Sequence, residues 1–247
     1  MYHFFVDRSQ IHPESITITG PDVNHIRNVL RMRSGEQVLI SNGEDRDYLC
    51  RLSRIDPDEV EAEIIREKEE TTELPARVCL FQGLPKGDKM ELIIQKAVEL
   101  GAYQIIPVAS KRAVVKLDKK KEEAKLRRWN AISESAAKQS KRRIIPQIAP
   151  VMEFREALSA VSGFDLACIP YECESGMEAV RKFVGQADAG QRIAVFIGPE
   201  GGFEEAEVEA AVQAGVVPVS LGKRILRTET AGLCMLSVLA FKLEGGI

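Results

Sequence analysis

Histidine is scarce in this chain: there are three, His3, His12 and His25, none with a cysteine or carboxylate at metal-ligand spacing. No metal site is therefore expected, and no histidine beyond residue 25 can activate a serine or cysteine nucleophile locally. A G-x-S-x-G elbow is missing too. The five cysteines, Cys50, Cys79, Cys168, Cys173 and Cys234, are odd in number, scattered and never paired as C-x-x-C. Such a set predicts neither a disulfide framework nor a zinc knuckle, and it suits a reducing cytosol. Long apolar runs are lacking: the uncharged run at 230–241 has 12 residues, against the ~20 needed to span a bilayer. Phe4, Phe5 and Val6 form a cluster too short for the core of a secretion signal. A cytoplasmic protein without a membrane partner is expected. Neither G-x-G-x-x-G nor G-x-x-x-x-G-K-[ST] occurs, so no familiar nucleotide cradle is present.

What is there reads as a globular protein. Its 247 residues, 45% apolar and 29% charged, suffice for a sizeable core and suit two unequal domains. Up to about residue 66 the pattern is short and strand-like: YHFFV (2–6), SITIT (15–19), QVLIS (37–41), DYLCRLSRI (47–55) and EVEAEII (59–65). One helix is predicted at 21–31, where Val23, Ile26, Val29 and Leu30 share a face. Residues 67–75, charged and ending in proline, read as a linker. Beyond them, apolar strands at 78–83, 104–109, 165–170, 192–198 and 217–222 alternate with helical stretches at 88–100, 120–140, 151–161, 175–184, 203–214 and 228–244. That alternation predicts a parallel, helix-covered α/β sheet. Asp88 and Glu91 suggest a capping box for the helix at 88–100, and Gly101 its left-handed end.

Charge is unevenly spread. The whole chain carries 34 basic and 37 acidic residues, yet residues 111–146 hold 13 basic against 4 acidic. For KKKEEAK (119–125) a solvated, lysine-rich helix accounts for the charges, whereas KQSKRR (138–143) reads as a polyanion footprint.

Ligands of open α/β sheets bind beyond the carboxyl ends of the strands, so glycine-rich turns there are the places to look. RIAVFIGPEGGF (192–203) is one: a buried strand runs into Gly198, Pro199, Glu200, Gly201 and Gly202, then into a helix. Glu200, Glu204 and Glu205 would oppose a phosphate at that helix start, while a ligand with a positive centre, such as a sulfonium, would be tolerated. VPVSLGKRILRTETAG (217–232) is the other. It packs Arg224, Arg227, Thr228, Glu229 and Thr230 before the small Ala231 and Gly232, with Thr228 as the expected cap of an apolar helix suited to burial against a partner subunit.

FIGPEGGF (196–203) and LGKRILRTETA (221–231), preceded by KGDKMELIIQKAVELG (86–101), KQSKRRIIPQI (138–148) and HIRNVLRMRSGE (25–36), closely resemble the RsmE family of 16S rRNA (uracil-N3)-methyltransferases over essentially the whole chain. The resemblance implies the SPOUT class: a PUA-like RNA-binding β-barrel at 1–70 and a trefoil-knotted α/β methyltransferase domain at 71–247, assembled as a homodimer. Pattern alone would have drawn an unknotted sheet. It implies S-adenosyl-L-methionine as cofactor, held by Ile169, Pro170, Gly198, Pro199, Glu200, Gly201, Gly202, Leu221, Gly222, Ile225, Leu226, Arg227, Thr228, Thr230 and Ala231. The substrate would be 16S rRNA or the small ribosomal subunit. Uridine N3 must shed its imide proton while negative charge spreads onto the flanking carbonyls, so Arg227 or Arg224 is expected to stabilise that charge. Glu200 or Glu229 would accept the proton or hold an arginine in place. Arg8, Arg27, Arg31 and Arg33, with Lys86, Lys89, Arg142 and Arg143, are expected to hold RNA phosphates. Two other readings stay open: a nucleotide-dependent oxidoreductase, weakened by the missing fingerprint, and a non-catalytic RNA-binding assembly factor, which has no use for the loops at Glu200 and Arg227.

Overall fold

The structure is a computed structural model that describes residues 1–115, 117–172 and 176–246. Cys173 and the first residue of the helix expected at 175–184 lie outside the described residues. The chain divides into two compact units, Met1–Glu73 with Ala137–Ile145, and Leu74–Ala136 with Pro146–Ile247.

The first unit is built on five strands: β1 (Tyr2–Phe5), β2 (Ser15–Thr19), β3 (Gln37–Ser41), β4 (Asp47–Ile55) and β5 (Glu59–Lys68). They run in the order β1-β3-β4-β5-β2, with β1 parallel to β3 and the other pairs antiparallel. Alternation decides which face is covered: Ile16, Ile18, Val38, Ile40, Cys50, Leu52, Val60 and Ala62 enter one core. Between β2 and β3, helix α1 (Pro21–Asn24) starts with proline in its first turn and widens into a π turn at His25–Val29, where Leu30 N–H reaches the His25 carbonyl at 2.8 Å. Val23 and Ile26 are its buried residues.

The returning stretch Ala137–Ile145 is held in this unit by charge. Arg142 is 2% exposed and its Nε donates to Glu73 Oε1 at 2.9 Å and Oε2 at 3.0 Å. Arg143 Nε donates to Asp47 Oδ2 at 3.0 Å, and its Nη2 to the Lys68 and Glu70 carbonyls at 3.3 and 3.0 Å. Lys138 Nζ pairs with Asp22 at 2.9 Å. Arg142 and Arg143 therefore do not face RNA phosphates, contrary to the expectation from the sequence. Buried guanidinium groups need paired carboxylates, and theirs are already in place. The same contacts correct the linker reading of 67–75, since Glu73 is an anchor and the Thr72 hydroxyl donates to the Lys141 carbonyl at 2.7 Å.

Asp47 also accepts the Ser41 hydroxyl, and Ser41 Oγ lies 2.6 Å from His3 Nε2. An ionised carboxylate only accepts, so Ser41 donates to it and receives the His3 Nε2 proton, leaving Nδ1 as a buried lone pair without a donor. Burial pushes the His3 imidazole down to about 4, against the pull of Asp47 and with help from Lys138, Lys141 and Lys68. Its folded-state pKa thus lies below the unfolded value near 6.5. Stability from this group is complete above that value and lost as pH falls toward 4, by about 3 kcal/mol in all. Urea unfolding of wild type and His3→Gln between pH 7 and pH 4 measures it: the wild type should lose stability more steeply than the variant across this window.

The second unit carries seven parallel strands: β6 (Arg77–Gly83), β7 (Gln104–Ala109), β8 (Gln147–Ile148), β9 (Met152–Glu153), β10 (Leu166–Pro170), β11 (Arg192–Ile197) and β12 (Val217–Val219). Their order is β12-β10-β11-β6-β7-β8, with β9 also on β7. Helices are α2 (Lys89–Glu99), α3 (Lys119–Ser140), whose last residues belong to the first unit, α4 (Phe154–Ser159), α5 (Glu178–Gln186), α6 (Glu205–Gln213) and α7 (Thr228–Leu243). The helix expected at 151–161 is shorter because β9 takes its start. The capping box expected at Asp88 is absent: that side chain makes no cap bond, and Glu91 Oε2 instead accepts Arg128 Nη2 at 2.7 Å. Gly101 does take the left-handed conformation, with φ +88° and Leu74 packed against its Cα.

The sheet's core is aromatic where it matters for the site. Phe81 of β6 stacks on Phe196 of β11 at 4.4 Å, and Phe154 bridges Phe196 and Phe203 at 6.4 and 5.1 Å. Phe203 thereby pins the end of the 198–202 loop into the core. Phe203→Ala should cost about 3–5 kcal/mol by leaving a cavity, read as a lower urea midpoint for unfolding.

Candidate active site

Strand order reverses at β6, with β7 on one side and β11 on the other. The crevice lies to one side of that point, beyond the carboxyl ends of β10, β11 and β12, where open α/β sheets bind ligands, and the loops that wall it are rich in glycine. A Cβ on Gly83, at the end of β6, would lie 2.6 Å from Pro199, and one on Gly198 would lie 2.9 Å from the Gly202 backbone. The loop after β11 thus folds back on itself, closed by the Gly202 N–H to Pro199 carbonyl bond at 2.9 Å, with Gly202 at φ +66°. Arg112 Nη1 braces it at the Gly201 carbonyl, 2.8 Å away. Across the crevice Gly222, at φ +107°, turns the chain after β12 into the 223–227 segment.

Thr228 joins the two walls. Read from the sequence as the cap of the last helix, it is instead that helix's first residue, with Arg227 at the cap position. Its buried hydroxyl donates to the Gly198 carbonyl at 2.6 Å and accepts Gln82 Nε2 at 2.8 Å. Capping could not have satisfied Gln82, which is fully buried at the end of β6 and whose Nε2 also reaches the Gly83 carbonyl at 3.0 Å. Neither Gln82 nor Gly83 stands out in the sequence; only the contact of distant strand ends reveals them.

Between these walls lies a cleft of about 580 Å³, within the range of small-molecule pockets. The structure brings to it Pro170, Gly198, Pro199, Glu200, Gly201, Gly202, Leu221, Gly222, Arg224, Ile225, Leu226, Arg227, Thr228 and Ala231, all singled out in the sequence. It does not bring Ile169, which is fully buried inside β10, nor Thr230 and Glu229, which lie off the wall. Tyr171, Glu172 and Lys223 join the lining without having been expected.

Lys89 is also on the wall, and the acids turn to it. Glu200 Oε1 accepts Lys89 Nζ at 2.9 Å and the Lys86 N–H at 3.1 Å. Glu229 Oε2 stands 3.5 Å from Lys89 Nζ as an ion pair, without a closer hydrogen bond among the described residues. Burial would raise the Glu200 carboxyl, but the Lys89 hydrogen bond and backbone N–H groups outweigh it and hold the carboxyl below its usual range. Glu200, foremost, raises the Lys89 ammonium in turn. The expected pairing of a glutamate with an arginine is therefore corrected: Glu200 fixes a lysine. Glu204 and Glu207 form a capping box on α6 and both also contact Lys111, so the acidity there is engaged within the fold.

Arg224 and Arg227 are exposed at the rim, and among the described residues their side chains make no ion pair or hydrogen bond. In the first unit Arg8 pairs with Glu44 and Asp45 at 2.5 and 3.4 Å, whereas the side chains of Arg27, Arg31 and Arg33 have no such partner among the described residues. No group of three or more His, Cys, Asp or Glu among the described residues is placed to hold a metal ion. Nor is any described helix long and apolar enough to cross a membrane.

Comparison with known proteins agrees with this layout. Residues 72–240 match an RNA methyltransferase domain family and residues 18–65 an RNA methyltransferase PUA domain family. The chain is 39% identical to the ribosomal RNA small subunit methyltransferase E of Bacillus subtilis, covering 99% of this chain and 98% of that one. It is 34% identical to the protein of the same name from Mesomycoplasma hyopneumoniae, over 96% and 98%. Among solved structures, the ribosomal RNA small subunit methyltransferase E of Neisseria gonorrhoeae bound to S-adenosyl methionine superposes with a TM-score of 0.84 at 33% identity, over 96% and 95% of the two chains.

Proposed function

This chain belongs to the ribosomal RNA small subunit methyltransferase E family, and from that premise we propose that it transfers the methyl group of S-adenosyl-L-methionine to N3 of a uridine in 16S rRNA. The observation that carries the proposal is the cleft itself. Gly83 and Gly198 let the 198–202 loop close tightly on the strand ends, and Gly198, Gly201 and Gly202 present backbone rather than side chains to the cleft. Glu200 on its wall is an acid already held by Lys89. Bound there, the cofactor supplies an electrophilic methyl group. The protein's own contribution is to bring the uridine to it and, as N3 gives up its proton to solvent at the open cleft, to stabilise the negative charge left on the ring. Arg227, or Arg224 beside it, has the exposed guanidinium for that task. Glu200, already ionised and bound, serves to fix Lys89 rather than to collect the proton.

Phosphates of the substrate are assigned to Arg8, Arg27, Arg31 and Arg33 in the PUA-like unit and to Lys86 in the other. The trefoil knot, a cytoplasmic location and a homodimer belong to the same proposal. Exposed Leu92 on α2 and Val238 and Phe241 on α7, two helices that pack together, support the dimer.

Nucleoside mass spectrometry of small-subunit RNA, incubated with the protein and S-adenosylmethionine, tests the activity. 3-Methyluridine is the expected product; its absence, with calorimetric binding of NAD in place of S-adenosylmethionine, would overturn the proposal.

A further inference from the structure

We propose that Ile225 is an RNA wedge, a side chain that enters the base stack beside the target uridine and holds the gap open while the base occupies the cleft. The inference rests on the methyltransferase reading and adds to it the residue that extracts the substrate.

Ile225 is 86% exposed, more than any other large hydrophobic side chain described. Nothing in the fold of its unit calls for it there. Leu221 and Leu226, its apolar neighbours in the same loop, are half-buried, while Ile225 alone turns to solvent from a position on the cleft wall. Leaving an isoleucine in water forfeits burial that the next residue obtains; a lone exposed side chain is ordinary on a protein surface, but this one stands on the wall of the functional cleft among unpaired cations.

The surroundings identify the partner by charge. Lys223, Arg224 and Arg227 are all exposed within two residues of it, none with an ion pair or side-chain hydrogen bond among the described residues. No acid interrupts residues 222–228; the next along the chain, Glu229, faces Lys89, and of the acids lining the same cleft Glu200 is held by Lys89 while Glu172 follows β10. An apolar tip ringed by unneutralised cations fits a polyanion whose interior is stacked and apolar. That is a nucleic acid.

Chemistry supplies the need. N3 lies on the Watson–Crick edge of uracil, so a base that is paired or stacked cannot present it to a cleft floored by strand ends. It has to leave the stack, and enzymes acting on bases meet this by extrusion. Apolar wedges, isoleucine among them, are a recurrent way to hold the unstacked step. Ile225 lines the cleft and is 86% exposed, so it stands where that gap would open.

Ile225→Ala and Ile225→Leu distinguish the possibilities. For the alanine variant the expected result is a loss of at least about tenfold in kcat on small-subunit RNA, well beyond any loss of S-adenosylmethionine affinity and with the oligomeric state unchanged; leucine, which keeps an apolar tip, should recover most of that rate. With 2-aminopurine placed next to the mapped methylation site, wild type and the leucine variant should raise its fluorescence and the alanine variant should not. Weakened S-adenosylmethionine binding in proportion to the rate would overturn the wedge by placing Ile225 against the cofactor. Loss of the dimer would overturn it by placing Ile225 between subunits, and unchanged kcat and fluorescence would overturn it outright. Should the wild type itself methylate no RNA, the activity fails and not the wedge alone.

Discussion

Arg227→Ala lowers the single-turnover rate of RNA methylation by about 10²–10³-fold, the usual cost of removing one preorganised donor from a developing negative charge, and leaves the affinity for S-adenosylmethionine within about twofold. The split follows from where the residue's atoms are. The Arg227 carbonyl accepts the Thr230 and Ala231 N–H groups that start α7, and alanine keeps that carbonyl. Its guanidinium is free at the rim, so its removal takes away only charge directed at the substrate. Rapid-quench kinetics with saturating RNA, beside calorimetry for the cofactor, reads the two effects separately. A parallel fall in affinity and rate would make Arg227 a cofactor ligand instead.

Gly198→Ala should abolish cofactor binding, with a loss of affinity beyond about 100-fold, while the sheet stays folded at a cost of about 1–3 kcal/mol. The new Cβ would lie 2.9 Å from both the Cα and carbonyl carbon of Gly202 and 3.2 Å from the Phe203 nitrogen, all backbone atoms with no side chain to yield. The loop must open, and with it the wall that Thr228 ties to the Gly198 carbonyl. Gly185→Ala is the matched control: nothing lies within 4 Å of that position in α5. There the substitution should leave binding intact and add about 0.5–1 kcal/mol to stability. Calorimetry and urea unfolding on the two variants make the comparison.

Much of this was legible because local patterns declare themselves. β2, β3, β4 and β7 have the bounds their alternation or apolar runs predict, and both glycine turns follow apolar strands, which is how the cleft's walls could be placed from residues alone. What escaped depends on partners far along the chain. Arg142 and Arg143 look like any basic run until Glu73 and Asp47, 69 and 96 residues away, are seen to hold them. Lys89 and Glu200 are 111 residues apart, and Gln82 and Thr228 are 146 apart. Thr228 sits where a cap belongs by type, yet packing at the strand ends claimed its hydroxyl. β8 and β9, two residues each, are too short to show any period.

The account's central claim is that the turns at 198–202 and 221–231 enclose the methyl donor and present it at the Arg227 rim. A crystal structure grown with S-adenosylmethionine tests this most directly. The cofactor's base should lie against the backbone of Gly198 and Leu226, with its sulfonium on the Glu200 side and its methyl group open to the rim. Density for it in any other cavity, or across a cleft that those two turns do not line, would contradict the account.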